Sequence, residues 1–329
     1  MSADAAKHPL IAGVEGGGTS FRCIVVRGDV VVDRRSIPTA GPEETLREVC
    51  EFLSGHEYDA IGISTFGPVD LKASSPSYGK IMNTPKEGWS RADVLSPILA
   101  VRNDVPYGFD TDVNAPALAE FERHNAPLPP SDRLTSLAYV TVGTGVGAGL
   151  VVNSSPVRGL MHPEAGHVPV IPLPADADAP PYPWGARTPF RGQNTVEGTA
   201  SSVALAHRLK AEGGTGDRDA LAGLPDEHAA WDTVANALAC MCVTLILTVS
   251  VEKIVLGGGI MQRKVVLPSV RQRVEEMLNG YVPAALRETE GGGSALREDL
   301  IVESVWGDDA GIFGTVALGK RAWQERTKL

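Results

Sequence analysis

The sequence has no surplus of basic residues, few cysteines and no apolar run long enough to cross a membrane. Its 30 Lys and Arg against 40 Asp and Glu give a formal net charge of −10, so it lacks the positive charge that binding to nucleic acid or an anionic membrane needs. The N-terminus has no apolar stretch typical of a signal peptide, and the most apolar run, residues 238–251, is too short to span a bilayer. We therefore expect a soluble protein with neither kind of partner.

The cysteines indicate a reducing compartment. All four lie in apolar segments, which favours buried thiols over disulfide bridges: Cys23, Cys50, Cys240 and Cys242. The last two form a C-x-C pair without a second pair, a pattern that does not predict a zinc site. A cytoplasmic location is the resulting expectation.

Glycine, by contrast, is abundant: the 329 residues include 36 glycines and 24 prolines, above average usage for both. An apolar content of 43% excludes a disordered chain, and the length suits about two domains. Glycine is retained where φ is positive or where a ligand approaches the main chain closely. Three clusters contain much of the excess: Gly16-Gly17-Gly18-Thr19, Gly143-Thr144-Gly145-Val146-Gly147 and Gly257-Gly258-Gly259.

Each cluster has two interpretations. Successive N–H groups of a glycine-rich turn make a nest for phosphate oxygens, and the alternative is a plain tight hairpin turn. Gly143, Gly145 and Ala148 fit the dinucleotide pattern G-x-G-x-x-A, but a strand-like AGLVV follows where that pattern needs a helix. The sequence also contains no G-x-x-x-x-G-K-[ST] P-loop. Phosphate held by two β-hairpin turns is the remaining hypothesis.

The chain contains strand, glycine turn, strand twice, in IAGVEGGGTSFRCIVV and in AYVTVGTGVGAGLVV. This predicts a duplicated unit and an α/β protein with two similarly built halves. We predict an N-terminal α/β lobe over 1–124, a proline-rich connector over 125–132 and a larger C-terminal α/β lobe over 133–308. A last helix, over about 309–329, is expected to pack back on the first lobe. Helical spacing predicts further helices over 43–53, 91–99, 115–124, 196–212, 230–249 and 266–279.

Asp112 and Asn114 follow a predicted strand and begin a predicted helix. Open α/β sheets bind ligands at the carboxyl ends of their strands, so these residues are candidates for a general base and a substrate-binding amide. The alternative is that they only cap the helix.

A second polar group is HPEAGH, which brings Glu164 and His167 together with His162. The combination suits a metal or the hydroxyl groups of a polyol, because a carboxylate accepts hydrogen bonds from vicinal hydroxyls; a surface loop is the alternative. Glu197 begins a further predicted helix, where it is either a third polyol contact or a favourable acid in the first turn.

Taken together and in this order, the motifs resemble the ROK family of sugar kinases, members of the actin-like, hexokinase-like ATPase superfamily. GVEGGGT and TVGTGVGAGLV resemble its two phosphate motifs, PEAGH its sugar-binding segment and IVLGGGI its adenosine segment, over about Ile11 to Leu318. Bacterial fructokinases are similar in having Glu at position 15, and in segments like STFGPVDL (64–71), YGKIMNTPKEGW (78–89) and DTDVNAPALAE (110–120).

The resemblance implies a two-lobed actin-like ATPase fold (a duplicated ribonuclease H-like fold) with the active site in the interdomain cleft. It implies a cytoplasmic, homodimeric kinase that uses ATP and Mg²⁺ to convert D-fructose to fructose 6-phosphate. Asp112 matches the general base. Positions that match sugar contacts are Asn114, Glu164, His167, Glu197, Gly67 and Pro68. Positions that match ATP or phosphate contacts are Glu15 (also near Mg²⁺), Gly17, Gly18, Thr19, Thr144, Gly145, Gly257, Gly258 and Gly259.

Two departures from the family pattern matter. Ser20 stands where the first motif usually continues with Lys, so one positive charge near the phosphates is missing. Most members hold a structural zinc with cysteines that follow the sugar segment, but residues 172–196 contain none, and Thr195 replaces one of them. One histidine cannot replace such a site, so we predict no zinc and a proline-rich loop, containing Trp184, that shapes the region by packing.

Three alternatives remain at this point. A kinase for another sugar (mannose, glucose, allose or an N-acetylhexosamine) stays open as the alternative to fructose, because the placement of residues against sugar hydroxyls does not show in a sequence. A ROK-type regulator without kinase activity is disfavoured by the acidic charge and by the first strand starting near Leu10. A nucleotide-dependent structural or chaperone-like protein is disfavoured by the two sugar segments.

Overall fold

The computed structural model describes residues 8–84, 86–290 and 293–327, and these form two compact units. Unit 1 comprises the described residues of Met1–Arg133, Ser155–Pro163 and Asp309–Leu329, and unit 2 comprises those of Leu134–Ser154 and Glu164–Asp308.

Unit 1 is built on a five-stranded sheet in the order β3-β2-β1-β4-β5. The first three strands form an antiparallel meander, and β4 and β5 run parallel to β1. Every residue of β4 is buried, as expected for a strand covered on both faces. The strands are β1 (Leu10–Gly16), β2 (Ser20–Arg27), β3 (Val30–Pro38), β4 (Ala60–Thr65) and β5 (Tyr107–Thr111), and the helices are α1 (Pro42–Ser54), α2 (Leu95–Val101), α3 (Asn114–Asn125) and α9 (Ala310–Arg326).

Three glycines form a row across unit 1's sheet, and α9 lies on that row. Gly13 of β1 pairs in register with Gly62 of β4, and Gly62 with Gly108 of β5. A Cβ atom at Gly62 would lie 1.7 Å from the Thr315 carbonyl oxygen in α9. At Gly13 it would lie 2.1 Å from Thr315 Oγ1, and at Gly108 2.7 Å from the Leu318 carbonyl oxygen. The helix backbone therefore approaches the sheet so closely that only glycine fits.

Unit 2 contains strands in the order β12-β9-β6-β7, with β6 and β7 antiparallel and β12, β9 and β6 parallel. A separate hairpin joins β10 to β11. The strands are β6 (Leu137–Val142), β7 (Val146–Val152), β9 (Ile254–Gly257), β10 (Leu286–Glu288), β11 (Ser294–Leu296) and β12 (Ile301–Glu303), and the helices are α4 (Val196–Ala200), α5 (Ser202–Ala211), α6 (Arg218–Ala222), α7 (Ala229–Val249) and α8 (Val266–Leu278). A two-residue strand, β8 (Ser155–Pro156), follows β7 along the chain.

The α/β prediction is confirmed, and the two sheets repeat one arrangement. In each, a glycine turn joins an antiparallel pair (β1–β2, β6–β7), and two parallel strands follow on the other side (β4 and β5, β9 and β12).

Two predicted helices are wrong in detail. The helix predicted over 91–99 begins only at Leu95, because Arg91 has a φ of 67° and Lys80 forms a β-bridge with Asp93. The helix predicted over 196–212 is two helices, because Ser201 has extended dihedral angles and caps the second one with its side chain.

Helix α7 contains residues 238–249 of the apolar run noted in the sequence and extends it toward the N-terminus, so the expectation that no apolar segment is long enough to span a bilayer is wrong. Its 21 residues are long and apolar enough to cross a membrane, but 67% of its most apolar stretch is buried within the protein. Leu238 and Cys242 are almost fully enclosed. These are the properties of a core helix.

Candidate active site

The carboxyl ends of β1, β4 and β5 bring the first glycine turn and Asp112 to one edge of unit 1's sheet. Gly16 of β1 pairs in register with Thr65 of β4, and Thr65 with Thr111 of β5. Asp112 follows directly, and its backbone N–H donates to the Thr65 carbonyl oxygen over 3.0 Å. The Thr65 hydroxyl is buried and has no hydrogen-bond partner within the described chain. This edge is where a parallel sheet presents ligand-binding groups.

Each glycine cluster contains one glycine that the chain's own packing does not require. A Cβ atom would meet nothing within 4 Å at Gly18, Gly143 or Gly259, and none of the three has a left-handed φ. Their neighbours differ: a Cβ at Gly16 would lie 2.7 Å from Phe21, and Gly258 has a φ of 91°. Packing and backbone conformation therefore explain some glycines of each cluster. At Gly18, Gly143 and Gly259 they do not, and the space that a side chain would fill is empty of protein atoms.

The Glu15 side chain lies between strand β2 and helix α9 of unit 1. Its carboxylate forms an ion pair with Arg22 over 2.6 Å, and a Cβ at Gly311 would lie 1.9 Å from Glu15 Oε1. Arg22 also contacts Asp309 over 3.5 Å. With one oxygen on a guanidinium, Glu15 suits a water-mediated contact with Mg²⁺ better than direct ligation, since Mg²⁺ usually keeps several waters.

Sequence reasoning missed the ion pair that underlies the Asp112 segment. Asp110 is fully buried, and Arg158 contacts its carboxylate through Nη2 at 2.7 Å and Nε at 3.1 Å. A buried charge needs such partners. Asn114 Nδ2 donates to Asp110 over 2.9 Å and to the Val157 carbonyl over 3.2 Å. Through Nδ2, Asn114 can therefore contact a sugar only by exchanging one of these bonds.

His162 holds the loop that follows β4 and carries Gly67 and Pro68, which are joined by a cis peptide bond. Its Nε2 accepts from the Val69 N–H over 3.2 Å, and a Cβ at Gly67 would lie 3.1 Å from the imidazole ring. Burial lowers the pKa of His162, which favours the neutral ring that this bond requires. Its role is local support of the two predicted sugar-contact positions.

In unit 2, Glu197 holds the second glycine turn. Its Oε2 accepts from the Val146 N–H over 3.0 Å, and a Cβ at Gly145 would lie 2.6 Å from the same oxygen. Its Oε1 accepts from the Tyr182 hydroxyl over 3.0 Å. Tyr182 is 6% exposed, whereas Trp184 is 47% exposed. The loop that contains Trp184 therefore packs here through Tyr182, its buried aromatic residue, and not through Trp184 itself.

Glu164, His167 and Glu197 are brought together in unit 2. Glu164 Oε2 lies 3.9 Å from His167 Nε2. Partial burial, and then the negative charge of Glu197, raise the pKa of Glu164 to about 7. His167 Nδ1 is buried without a hydrogen-bond partner within the described chain. Two acids and an imidazole with spare hydrogen-bonding capacity suit the hydroxyl groups of a sugar.

Thr195 stands at a position where the resemblance implies a cysteine that ligates zinc. Thr195 Oγ1 donates to the Gly192 carbonyl over 3.2 Å and accepts from the Gly198 N–H over 3.1 Å, so it caps α4. No cluster of three or more His, Cys, Asp or Glu side chains suited to a metal occurs among the described residues. The Thr195 hydroxyl is therefore engaged with two backbone groups at the start of α4.

The motifs and this geometry agree with comparison to known proteins. The model of the ROK family matches residues 11–322. The chain belongs to the ROK family. A fructokinase of Zymomonas mobilis is 36% identical over 320 residues, which cover 94% of this chain and 96% of that protein. A fructokinase of Pediococcus pentosaceus is 32% identical over 316 residues, which cover 95% and 98%.

Two further similar proteins share a lower sequence identity with this chain. An N-acetylmannosamine kinase of Haemophilus influenzae is 24% identical over 284 residues, covering 80% of this chain and 85% of that protein. Among solved structures, a ROK hexokinase of Thermus thermophilus matches with a TM-score of 0.68 at 22% identity, covering 96% of this chain and 99% of that one. The likeness confirms the predicted actin-like ATPase fold.

We predict that the purified protein binds no zinc. Elemental analysis should find no stoichiometric zinc, and EDTA should leave the midpoint of thermal unfolding unchanged, because Thr195 supplies its contacts without a metal. One zinc per chain would contradict this prediction.

Replacing Glu164 by Gln should change how stability depends on pH. The folded-state pKa of about 7 lies above the usual 4.5, so the folded state retains the proton and wild-type stability falls as pH rises from 4.5 to 7. Glu164→Gln avoids this loss, and urea denaturation should show its advantage over wild type growing between pH 5 and pH 8. The exposed Glu325→Gln is the control. An equal difference at both pH values would show that Glu164 carries no such shift.

Proposed function

We propose that this chain, a ROK-family sugar kinase, transfers the γ-phosphoryl group of ATP to D-fructose and releases fructose 6-phosphate and ADP. The observation that carries the nucleotide part is the open space at Gly18, Gly143 and Gly259, where neither packing nor φ accounts for a missing side chain. The fructokinases of Zymomonas mobilis and Pediococcus pentosaceus, similar over nearly the whole chain, support the choice of fructose.

The glycine clusters are proposed to bind ATP through backbone donors. Gly18 and Thr19 would donate to phosphate oxygens from the first turn, and Thr144 and Gly145 from the second. Gly17, whose own N–H donates to the Ser20 carbonyl over 3.0 Å, would lie against the phosphate without a side chain in the way. Gly257, Gly258 and Gly259 would lie near the adenosine. Backbone N–H groups carry no net charge, which reconciles binding of a polyphosphate with a chain of formal charge −10.

Asp112 is proposed as the general base. It would accept the proton of the sugar 6-hydroxyl as that oxygen bonds to the γ-phosphorus and the bond from phosphorus to the β,γ-bridging oxygen breaks. Its half-buried position at the end of β5, beside Thr65, supports this role. General bases of this kind contribute about 10²- to 10⁴-fold to rate.

The remaining proposed contacts orient the sugar. Glu164 and His167 have the hydrogen-bonding capacity to bind hydroxyl groups directly. Glu197 has its oxygens on Val146 and Tyr182, so it would contact the sugar while also holding the turn. Asn114, Gly67 and Pro68 are proposed as further sugar contacts, because they match sugar-contact positions of the ROK family.

Mg²⁺ would arrive with ATP and neutralise charge on the β- and γ-phosphates. Glu15 is the residue proposed to lie near it, through water. Glu15 itself would keep its ion pair with Arg22 and so retain one orientation.

A kinase for another sugar is the second candidate. This candidate is supported by the similarity, over 80% of this chain, to an N-acetylmannosamine kinase of Haemophilus influenzae. An enzyme distinguishes hexoses through hydrogen bonds to hydroxyl groups that must be positioned to within about an ångström. A hydroxyl misplaced by that distance lowers the reaction rate by about a hundredfold.

The sugar is identified by a coupled ADP-release assay with Mg·ATP across fructose, mannose, glucose, allose and N-acetylhexosamines. We expect kcat/KM to be highest with fructose. A higher value with another hexose would replace fructose by that sugar, and activity with none would refute the kinase.

Replacing Asp112 by Asn should lower kcat by about 10²- to 10⁴-fold, because the amide cannot accept the sugar proton. Sugar affinity, measured by calorimetry, should stay within a few-fold of wild type. The exposed Asp132→Asn is the control for loss of one charge. Near-normal kcat in Asp112→Asn would remove Asp112 from this role.

A further inference from the structure

The carbonyl groups of the first glycine turn accept hydrogen bonds from other parts of unit 1. The Gly17 carbonyl accepts from Thr39 Oγ1 over 2.8 Å, and the Thr19 carbonyl accepts from the Thr39 N–H over 2.9 Å. The Gly18 carbonyl, between them, accepts from the ammonium of Lys86. Because three successive carbonyls are fixed, the orientation of the intervening peptide N–H groups is fixed as well.

The segment that carries Lys86 is anchored behind the turn. Trp89 is fully buried and stacks on Phe21, with ring centroids 5.3 Å apart and planes 23° apart. Its indole N–H donates to the Ala40 carbonyl over 2.9 Å, and its backbone N–H donates to the Lys86 carbonyl over 3.2 Å. Lys86 is thus positioned at the turn by a packed aromatic residue only three positions away.

The charge of Lys86 is not neutralised by the protein. Within the described part of the chain its ammonium contacts a neutral carbonyl and forms no ion pair with a carboxylate. Arg22, the cation on the strand after the turn, is paired with Glu15 and contacts Asp309. Ser20 adds no charge. Lys86 therefore supplies the uncompensated positive charge at this turn.

We infer that Lys86 is a nucleotide-binding residue that attracts the polyphosphate of ATP, and that Thr39 is a positioning residue for the same turn. The inference rests on the proposed use of this turn for phosphate. An ammonium has three donors, so Lys86 can keep its bond to the Gly18 carbonyl while donating to a phosphate oxygen.

Binding of Mg·ATP, Mg·ADP and adenosine, measured by calorimetry without sugar, tests the inference. Lys86→Ala should weaken Mg·ATP binding by about tenfold, the scale of one hydrogen bond to a charged group, and Mg·ADP binding by less. Adenosine affinity should not change. Lys86→Arg should retain most of the affinity for Mg·ATP. The exposed Lys72→Ala, which removes the same charge elsewhere in unit 1, should equal wild type.

Two further variants separate charge from positioning. Lys86→Gln keeps a donor for the Gly18 carbonyl but removes the charge, so it should lose as much Mg·ATP affinity as Lys86→Ala. Thr39→Val removes the hydroxyl and keeps the charge, so its loss should persist at high salt, whereas the extra affinity due to Lys86 should be screened. Circular dichroism confirms that each variant is folded.

The outcomes distinguish this inference from the proposed function. If wild type binds Mg·ATP and folded Lys86→Gln binds it equally well, the charge role of Lys86 is wrong and the kinase proposal stands. If Lys86→Gln binds Mg·ATP more weakly but no hexose is phosphorylated, Lys86 keeps its role and the sugar assignment fails. If wild type binds no adenine nucleotide, both are overturned.

Discussion

Helix α9 rests directly on Gly13, Gly62 and Gly108, and the geometry of unit 1's sheet depends on that contact. The three glycines lie in one register row across β1, β4 and β5, so the helix backbone meets adjacent strands at the same height. A single methyl group at Gly62 would enter the helix backbone. Overpacking of this kind costs about 1–3 kcal/mol or more, which selects against any other residue.

The row also sets the height at which the strands end. Two residues beyond it, Glu15, Ser64 and Asp110 are level in register, and one residue further lie the first glycine turn and Thr111. A polar edge of this kind is costly to bury unless every charge has a partner. Arg158 supplies one for Asp110, and Arg22 supplies one for Glu15. The packing on one face of the sheet and the ion pairs at its edge thus hold Asp112 and the glycine turn in one place.

Much of this fold could be predicted from local sequence patterns, because strand, turn and helix signals act over a few residues. The hairpins, the helix after β5 and the duplicated arrangement are examples. The contacts that orient the site are separated much further along the chain: Arg158 is 48 residues from Asp110, and Glu197 is 51 from Val146. No periodicity or motif links such pairs. The sequence clusters also account for only part of the glycine excess, because Gly13, Gly62 and Gly108 lie outside them and allow α9 to pack on the sheet.

The two glycine turns, alike in sequence, are held in opposite ways. In the first, donors from Thr39 and Lys86 hold the carbonyl groups of Gly17, Gly18 and Thr19. In the second turn, the Glu197 carboxylate accepts a hydrogen bond from the Val146 N–H and lies against Gly145. A carboxylate is therefore placed at that turn. Under the proposed function, the ammonium at the first turn would attract a polyphosphate, whereas the carboxylate beside the second turn would need a cation between it and the phosphates. Two turns that join similar strand pairs therefore have charges of opposite sign beside them.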